Sequence, residues 1–231
     1  ETEITTEEGI EVFQNEKYYL LKKNVKIISD DFVLQGDQIK IFFNKDLYDI
    51  EVIDANGNVT LKSEVYNVDA SGDKLFFKVE NEEVNIKGSK SKLITNETDM
   101  RSDGEINVNN KKGNFYIIGP NSTLKSEDIF IEGNSIDGIF SNVEGKKTVS
   151  LLNVNDDNIA FIKTDNTQMY SNIVKYNKKT SLIELENNVK IIRDGETITG
   201  DYGALDTKNN SYKIKSKDTK KVKVIIINQD E

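Results

Sequence analysis

The sequence predicts an all-β protein built from repeated units, and three observations carry that prediction. Apolar and polar residues alternate along nearly the whole chain. The phrase NVKIISDDFVLQGD at 24–37 returns as NVKIIRDGETITGD at 188–201, 188 − 24 = 164 residues later and without a gap. Asn, Asp and Gly punctuate the alternation, whereas proline occurs once in 231 residues, at Pro120. Period-two alternation over short runs is the signature of half-buried strands. No stretch sustains apolar residues at i, i+3, i+4 and i+7, so no substantial helix is expected.

The strands follow in order. Ile10–Phe13 and Tyr18–Leu21 are the first apolar stretches. Val25 and Ile27 flank Lys26, and Ile39, Ile41 and Phe43 flank Lys40 and Phe42. Val59 and Leu61 flank Thr60; Leu75, Phe77 and Val79 flank Phe76 and Lys78; Val84 and Ile86 flank Asn85. Ile129 and Ile131, Val149 and Leu151, Val189 and Ile191, and Tyr212 and Ile214 repeat the pattern, and VKVIII at 222–227 ends it. Turns are expected at Asn56-Gly57-Asn58, Ser71-Gly72-Asp73, Lys112-Gly113-Asn114, Gly119-Pro120-Asn121, Asp194-Gly195 and Asn209-Asn210, because Gly and Asn tolerate positive φ. No linker or shift in composition interrupts the series, so one domain over 1–231 is expected; the alternative is a break within 95–105.

Composition narrows the function. Hydrophobic residues are only 36% and charged residues 31%, which implies a thin, elongated core. Nine Tyr and ten Phe nevertheless exceed what a disordered chain carries. A net charge of −9 argues against a nucleic-acid partner, whose phosphates require clustered Lys and Arg. The absence of Cys removes disulfides and thiol chemistry, and the absence of His removes the commonest metal ligand and general base. No apolar run is long enough for a membrane-spanning helix. The opening ETEITTEE, without Met, is compatible with a product trimmed of an export signal.

The repeat has two elements. The first is Asn-(Val or Ile)-x-(Ile, Leu or Phe), at Asn24, Asn58, Asn158 and Asn188. Its spacings are 58 − 24 = 34 and 188 − 158 = 30, and the gap 158 − 58 = 100 accommodates three degenerate units. The second is a small residue followed by Asp or Asn, at Gly36-Asp37, Gly72-Asp73, Ser102-Asp103, Ser171-Asn172 and Gly200-Asp201, with a looser copy at Ser126-Glu127-Asp128. A unit of roughly thirty residues cannot bury its apolar face alone, so neighbours stack and share a core. The Asn and Asp side chains are suited to capping turns through backbone N–H groups.

These motifs resemble those of the OstA/LptA-type family of bacterial lipopolysaccharide-transport proteins, in which G-N-V-x-(I/L) repeatedly precedes (A/G)-D-x-(A/V)-x-(Y/F). The matches are Gly57-Asn58-Val59-Thr60-Leu61, Gly36-Asp37 leading to Phe42-Phe43, and Gly200-Asp201 leading to Ala204-Leu205. The resemblance covers most of the chain and is weakest over 85–155. Lys23 and Asn187 stand where the family carries Gly. The resemblance implies an OstA-like β-jellyroll, an open, V-shaped stack of short antiparallel strands with a greasy interior for acyl chains. It also implies a periplasmic location, lipopolysaccharide as ligand, and inner- and outer-membrane components of the same machinery as partners. Protomers would join head to tail. Membrane-anchored and outer-membrane members of the family are the nearest alternatives, and a ligand-free β-solenoid filament or adhesin is the more distant one.

No catalytic site emerges. Asp30-Asp31 and Asp156-Asp157 are ordinary solvated pairs in a chain with 40 acidic residues. The repeated Asp recurs at 72 − 36 = 36 and 200 − 171 = 29 residues, too widely to stack oxygens around one calcium ion. Four N-x-S/T matches, at Asn58, Asn96, Asn121 and Asn209, are what an Asn-rich chain carries by chance. No cofactor or metal is expected. The candidate lipid-facing positions are Ile27, Ile39, Ile41, Phe43, Leu61, Phe77, Ile86, Phe161, Leu185 and Ile191, with Lys26, Lys40, Lys62 and Lys190 facing outward. Periodicity does not distinguish a filled core from a lipid groove. The candidate assembly positions are Ile10 and Val12 near one end and Val222, Val224 and Ile226 near the other. The N-terminal ETEITTEEGIE is acidic, whereas Lys220, Lys221 and Lys223 make the last strand basic.

Overall fold

A computed structural model describes residues 2–45, 49–127, 129–217 and 221–226. Asp128, Lys220 and the stretch 227–231, on which parts of the expectations above rest, lie outside these residues. The chain divides into two compact units, 1–119 and 120–231. Each is entirely strand and turn among the described residues.

The first unit contains β1 (Thr2–Thr5), β2 (Ile10–Phe13), β3 (Tyr18–Ser29), β4 (Val33–Phe43), β5 (Ile50–Ser63), β6 (Val68–Lys78), β7 (Glu83–Lys87), β8 (Ser91–Ile94), β9 (Thr98–Ser102), β10 (Glu105–Asn109) and β11 (Asn114–Ile118). All pairings are antiparallel. The long strands bend in the middle, so each contributes to two half-sheets. The first half-sheet runs β2-β3-β4-β5-β6-β7-β10-β11. The second runs β1-β3-β4-β5-β6-β8-β9.

The second unit contains β12 (Thr123–Ser126), β13 (Ile129–Glu132), β14 (Ser135–Val143), β15 (Lys146–Lys163), β16 (Thr167–Asn177), β17 (Leu182–Arg193), β18 (Glu196–Asp206), β19 (Ser211–Lys215) and β20 (Lys223–Ile226). Its half-sheets run β14-β15-β16-β17-β18-β19 and β12-β13-β15-β16-β17-β18-β20.

The repeated phrase sits at the bend. Register slips between Lys22 and Val25, between Asn56 and Val59, and between Glu186 and Val189. Each slip accommodates two consecutive left-handed residues: Lys23 and Asn24 (φ 64° and 49°), Gly57 and Asn58 (77° and 48°), and Asn187 and Asn188 (65° and 54°). Asn is the residue after Gly that enters this region most readily, which explains its recurrence before Val. The bend tolerates Lys23 and Asn187 in place of Gly by holding them in the same conformation. Gly88, Lys90, Gly119 and Asn121 also carry positive φ, so the left-handed positions continue at intervals of 88 − 57 = 31 and 119 − 88 = 31 through the stretch where the motif fades.

The small-Asp element lies on the next strand, in register with the bend. Val25 pairs Gly36, Val59 pairs Gly72, and Val189 pairs Gly200. The acidic or amide side chain then secures the bulge. Asn58 Nδ2 donates to Asp37 Oδ2 at 3.0 Å, Asn188 Nδ2 to Asn172 Oδ1 at 2.7 Å, and the amides of Lys90 and Lys217 to Asp103 and Asp201 at 2.8 and 2.9 Å. Two expected turns are thereby corrected: Asn56–Asn58 lies inside β5 and Ser71–Asp73 inside β6. Gly and Asn mark a bend within a strand there, because positive φ serves a bulge as well as a turn. The turns at 112–114, 119–121, 194–195 and 209–210 form as expected.

Gly72 and Gly200 also face close neighbours. A Cβ on Gly72 would lie 2.6 Å from Ile86 Cγ2 and 3.1 Å from the Lys87 carbonyl oxygen; one on Gly200 would lie 2.5 Å from Ile214 Cγ2 and 2.7 Å from the Lys215 carbonyl oxygen. At Gly36 the nearest atoms are at 3.6 Å. Gly72→Ala is therefore expected to lower stability by about 1–3 kcal/mol, the cost of overpacking, and Gly36→Ala by less than about 1 kcal/mol. Urea unfolding followed by far-UV circular dichroism distinguishes the two; equal losses would contradict the close approach at Gly72.

Candidate functional site

The inner faces of the half-sheets form apolar rows that follow the register from strand to strand. In the first unit Leu21, Ile39, Ala55, Leu75, Ile86, Ile106 and Ile117 make one row, every member at most 2% exposed. Ile27, Leu34, Leu61, Ala70, Leu93 and Met100 make a row on the other half-sheet. In the second unit Leu124, Ile131, Ile162, Met169 and Ile191 form one such row, and Ile136, Val154, Val174 and Leu185 another. Fully burying one such aliphatic side chain contributes about 1.5–3 kcal/mol, so these rows hold the half-sheets together.

Nine of the ten candidate lipid-facing residues lie on these inner faces. Ile27, Ile39, Ile41, Phe43, Ile86, Leu185 and Ile191 are buried there, and Leu61 and Phe77 are half-buried. Phe77, rather than Phe76, is the inward partner of Ile53 and Val84. Phe161 lies on the outer face, between Glu132 and Tyr170, while its neighbour Ile162 is wholly buried. On β15 the inner face stays in phase with Leu152 and Val154, at Ala160 and Ile162, so the Asn158 motif does not mark it. The β15 bulge runs from Asn155 to Ala160 against Ile173 to Ser171, two residues longer than the bulge at Lys22–Val25. Ala160, not Ile159, takes the place of Val25, and Ile159 is 57% exposed.

The interior of the second unit is reached at one rim. A cavity of about 440 Å³ opens between the ends of its half-sheets, with Ile129, Val149, Tyr176, Ile183 and Leu205 as its apolar floor. Glu127, Thr164, Asp165 and Asn210 ring its mouth. Lys178 Nζ holds Glu127 with contacts of 2.6 and 2.7 Å. None of the candidate lipid-facing residues lines the cavity. Ile183 and Leu205 were within reach of the alternation, since Ile183 is two residues before Leu185 on the same face.

A polar clasp joins the two rims beside this cavity. Arg193, on β17, donates through Nη1 to the Asn210 carbonyl oxygen at 3.0 Å and lies over the Tyr212 ring at 5.9 Å. Tyr212 Oη donates to Glu196 Oε2 at 3.1 Å. Burial first, and Glu196 second, push the Tyr212 phenol above its ordinary pKa.

A second polar network lies on the outer face of β7, β10 and β11. Glu105 accepts from Tyr116 Oη at 2.8 Å and from Asn85 Nδ2 at 2.5 Å, with Lys87 Nζ 3.6 Å away. Burial pushes the Glu105 carboxyl up, but these hydrogen bonds and the lysine outweigh it and hold the group below its ordinary value. Among the described residues no cluster of three or more potential ligands could hold a metal ion.

The edges of the half-sheets are apolar and open. Ile10 and Val12 pair Leu21 and Tyr19 on the inner face, yet are 50% and 47% exposed. Val222, Val224 and Ile226 are 41%, 52% and 64% exposed. Val224 continues the inner row through Ile198 to Ile191.

These features define a class: antiparallel β proteins whose bent strands enclose an apolar interior that continues to open, unpaired edges. Residues 8–114 match the family described as LptA/(LptD N-terminal domain) LPS transport protein. That family is the OstA/LptA-type family which the repeat motifs resemble, and the match covers just under half of the chain. No curated protein gives a significant match. Fifteen solved chains do. One is the crystal structure of LptH, the LptA homologous periplasmic component of the conserved lipopolysaccharide transport device from Pseudomonas aeruginosa. It is 9% identical, with 99% of this chain and 96% of that chain covered and a TM-score of 0.25.

Burial and the Glu105 hydrogen bond push the Tyr116 phenol up to about 12. A folded-state pKa above the unfolded value of about 10 gives stability that is complete below pH 10 and lost as pH rises toward 12. Alkaline unfolding monitored by phenolate absorbance is expected to show this fall, and Tyr116→Phe to remove the Tyr116 contribution to it. A Tyr116 that ionises near 10 in the folded protein would contradict the burial and hydrogen bond.

Proposed function

We propose that the chain is a periplasmic lipopolysaccharide-binding protein that carries acyl chains along its apolar inner faces and bridges inner- and outer-membrane assemblies of one transport machinery. The reading extends the family match at 8–114 to the whole chain, 1–231, as one functional domain. Its main support is the inner row repeated strand after strand. Like positions give sites of like affinity, and successive sites of equal depth let an acyl chain advance without a trap. Each buried CH₂ contributes about 0.8 kcal/mol, so several chains are retained strongly in any dry interior. The rows are packed, so acyl chains require the half-sheets to part. The cavity floored by Tyr176, Ile183 and Leu205 is the point of entry, and the Arg193–Tyr212 clasp is what yields there.

A ligand-free structural filament is the second reading, and the near-complete burial of Ile39, Ile86, Leu185 and Ile191 favours it. Mass spectrometry of lipid co-purified from an outer-membrane-bearing host separates the two. Photo-crosslinkers at Ile183, Leu205, Ile27 and Phe77 are expected to capture lipopolysaccharide several-fold more than crosslinkers at Lys26, Lys40, Lys62 and Lys190. Equal capture by both sets would reject an interior site.

Head-to-tail self-association is part of the same reading. The β20 edge of one copy would meet the β1–β2 edge of the next, and the basic residues Lys221 and Lys223 would face the acidic N-terminal stretch. A heterologous contact of this kind makes an open filament rather than a closed dimer, and exposed charges make it salt-sensitive. Light scattering of the full chain is expected to grow with concentration, and Val224→Asp with Ile226→Asp to abolish the growth while the β spectrum persists. Undiminished association of that variant, or an intact chain that stays monomeric, would reject the contact.

A further inference from the structure

The outer face of the second half-sheet in the second unit departs from the acidic character of the rest of the molecule. The register places Lys125, Phe130 and Lys163 in one outer row on β12, β13 and β15. The adjacent row holds Glu132, Phe161, Tyr170, Lys190, Thr199 and Lys223. Among the described residues four lysines therefore share this face with one carboxylate, in a chain of net charge −9; Asp165 and Asp194 lie in the turns beyond it. All four lysines are exposed, and none makes an ion pair among the described residues. The corresponding face of the first unit differs: there Lys92 pairs with Asp69 at 3.0 Å and Arg101 with Asp99 at 2.8 Å.

Aromatic rings lie among these lysines. The Phe130 and Phe161 centroids are 6.2 Å apart, those of Phe161 and Tyr170 are 5.2 Å apart, and Lys190 Nζ stands 5.2 Å from the Tyr170 centroid. The rings are half-buried in the sheet surface. Lys190 is held on its ring by the cation–π contact. Lys125 and Lys163 flank Phe130 from strands two steps apart, about 10 Å at the usual strand spacing.

The geometry points to a binding face for an anionic glycan: sugar rings stack on Phe130 and Phe161, and carboxylate or phosphate groups borne by the sugars meet Lys125, Lys163 and Lys190. Cations without an ion pair among the described residues, on an acidic protein, select an anionic occupant. Apart from Ile225, the apolar side chains on the face do not project from the sheet, so they are poorly placed to insert into a bilayer. The densely spaced phosphates of a nucleic acid would meet the repulsion of the whole chain's negative charge, whereas a glycan carries its charges sparsely and offers apolar ring faces for stacking. The face is separate from the interior site, and its assignment does not rest on lipid transport.

Affinity electrophoresis of the full chain in native gels containing polygalacturonate, with neutral dextran as control, tests the assignment. Polygalacturonate is expected to retard the protein and dextran not to. Lys163→Gln with Lys190→Gln is expected to weaken the retardation at least about tenfold, given what each lysine contributes near an anionic surface. Phe161→Leu is expected to weaken it without any change in charge, and Lys26→Gln with Lys62→Gln to leave it unchanged. The assignment is overturned by a wild-type protein that is not retarded, by substituted faces that are retarded like wild type, or by phosphatidylglycerol vesicles or oligothymidylate binding as tightly as polygalacturonate. The probe has no acyl chain, so failure of the lipid reading leaves this result standing, and the reverse.

Discussion

The bend in the middle of each long strand is the constraint on which the rest of the structure depends. A straight strand of twelve residues such as β3 would present one long apolar stripe to a single layer. Two left-handed residues at positions 23 and 24, and their counterparts at 57–58 and 187–188, divide that stripe between two half-sheets that bury it in common. The conformation is unfavourable for most L-residues by about 1–2 kcal/mol each. The chain meets that cost with Gly and Asn and with side-chain hydrogen bonds from the facing strand, as between Asn58 and Asp37. The two elements of the repeat are thus two sides of one bulge, and the recurrence at 24–37 and 188–201 records one mechanical device used at both ends of the chain.

The device also sets the phase of the alternation. On β4 the inner face passes from Ile39 to Gly36, a step of three, whereas on β3 it passes from Leu21 to Val25, a step of four. The step of four keeps the period of two, whereas the step of three breaks it. Interior positions on either side of a bend therefore stay aligned with their neighbours only because the slip recurs from strand to strand. In β15 the step lengthens to six, from Val154 to Ala160, which keeps the even phase and leaves Phe161 on the outer surface. That placement puts an aromatic ring beside Phe130 and Tyr170 on the lysine-bearing face.

Burial and charge divide the molecule's surfaces by role. The inner rows are almost completely closed, so the apolar interior is a core wherever the half-sheets meet and accessible only at a rim or an edge. The second unit's rim carries both the cavity and the Arg193–Tyr212–Glu196 clasp. The edge strands β1, β2 and β20 leave their apolar residues exposed, which isolated soluble sheets normally avoid. The outer faces carry hydrogen-bonded networks such as Glu105–Tyr116–Asn85 and ion pairs such as Lys92–Asp69, whereas Lys125, Lys163, Lys190 and Lys223 make no ion pair among the described residues.

Much of this was legible in the sequence. Alternation by itself determined that the chain is all-β, because only a strand puts Val25 and Ile27, or Val189 and Ile191, on one face with lysine on the other. The recurring Asn-Val and Gly-Asp phrases determined that it is built of repeats and pointed to the family whose model matches 8–114, because few residues tolerate the backbone that those positions require. Nine of ten inner positions followed from the same alternation. The tertiary structure alone decided that Asn56–Asn58 and Ser71–Asp73 are bends inside strands, since positive φ is common to turns and bulges and only the pairing partner tells them apart. It decided the outward placement of Phe161, because only the pairing shows that Ala160, and not Ile159, follows the β15 bulge on the inner face. It also decided that Ile183 and Leu205 floor the cavity while the equally buried Leu185 does not, because a residue's distance from the rim is not encoded in a local pattern.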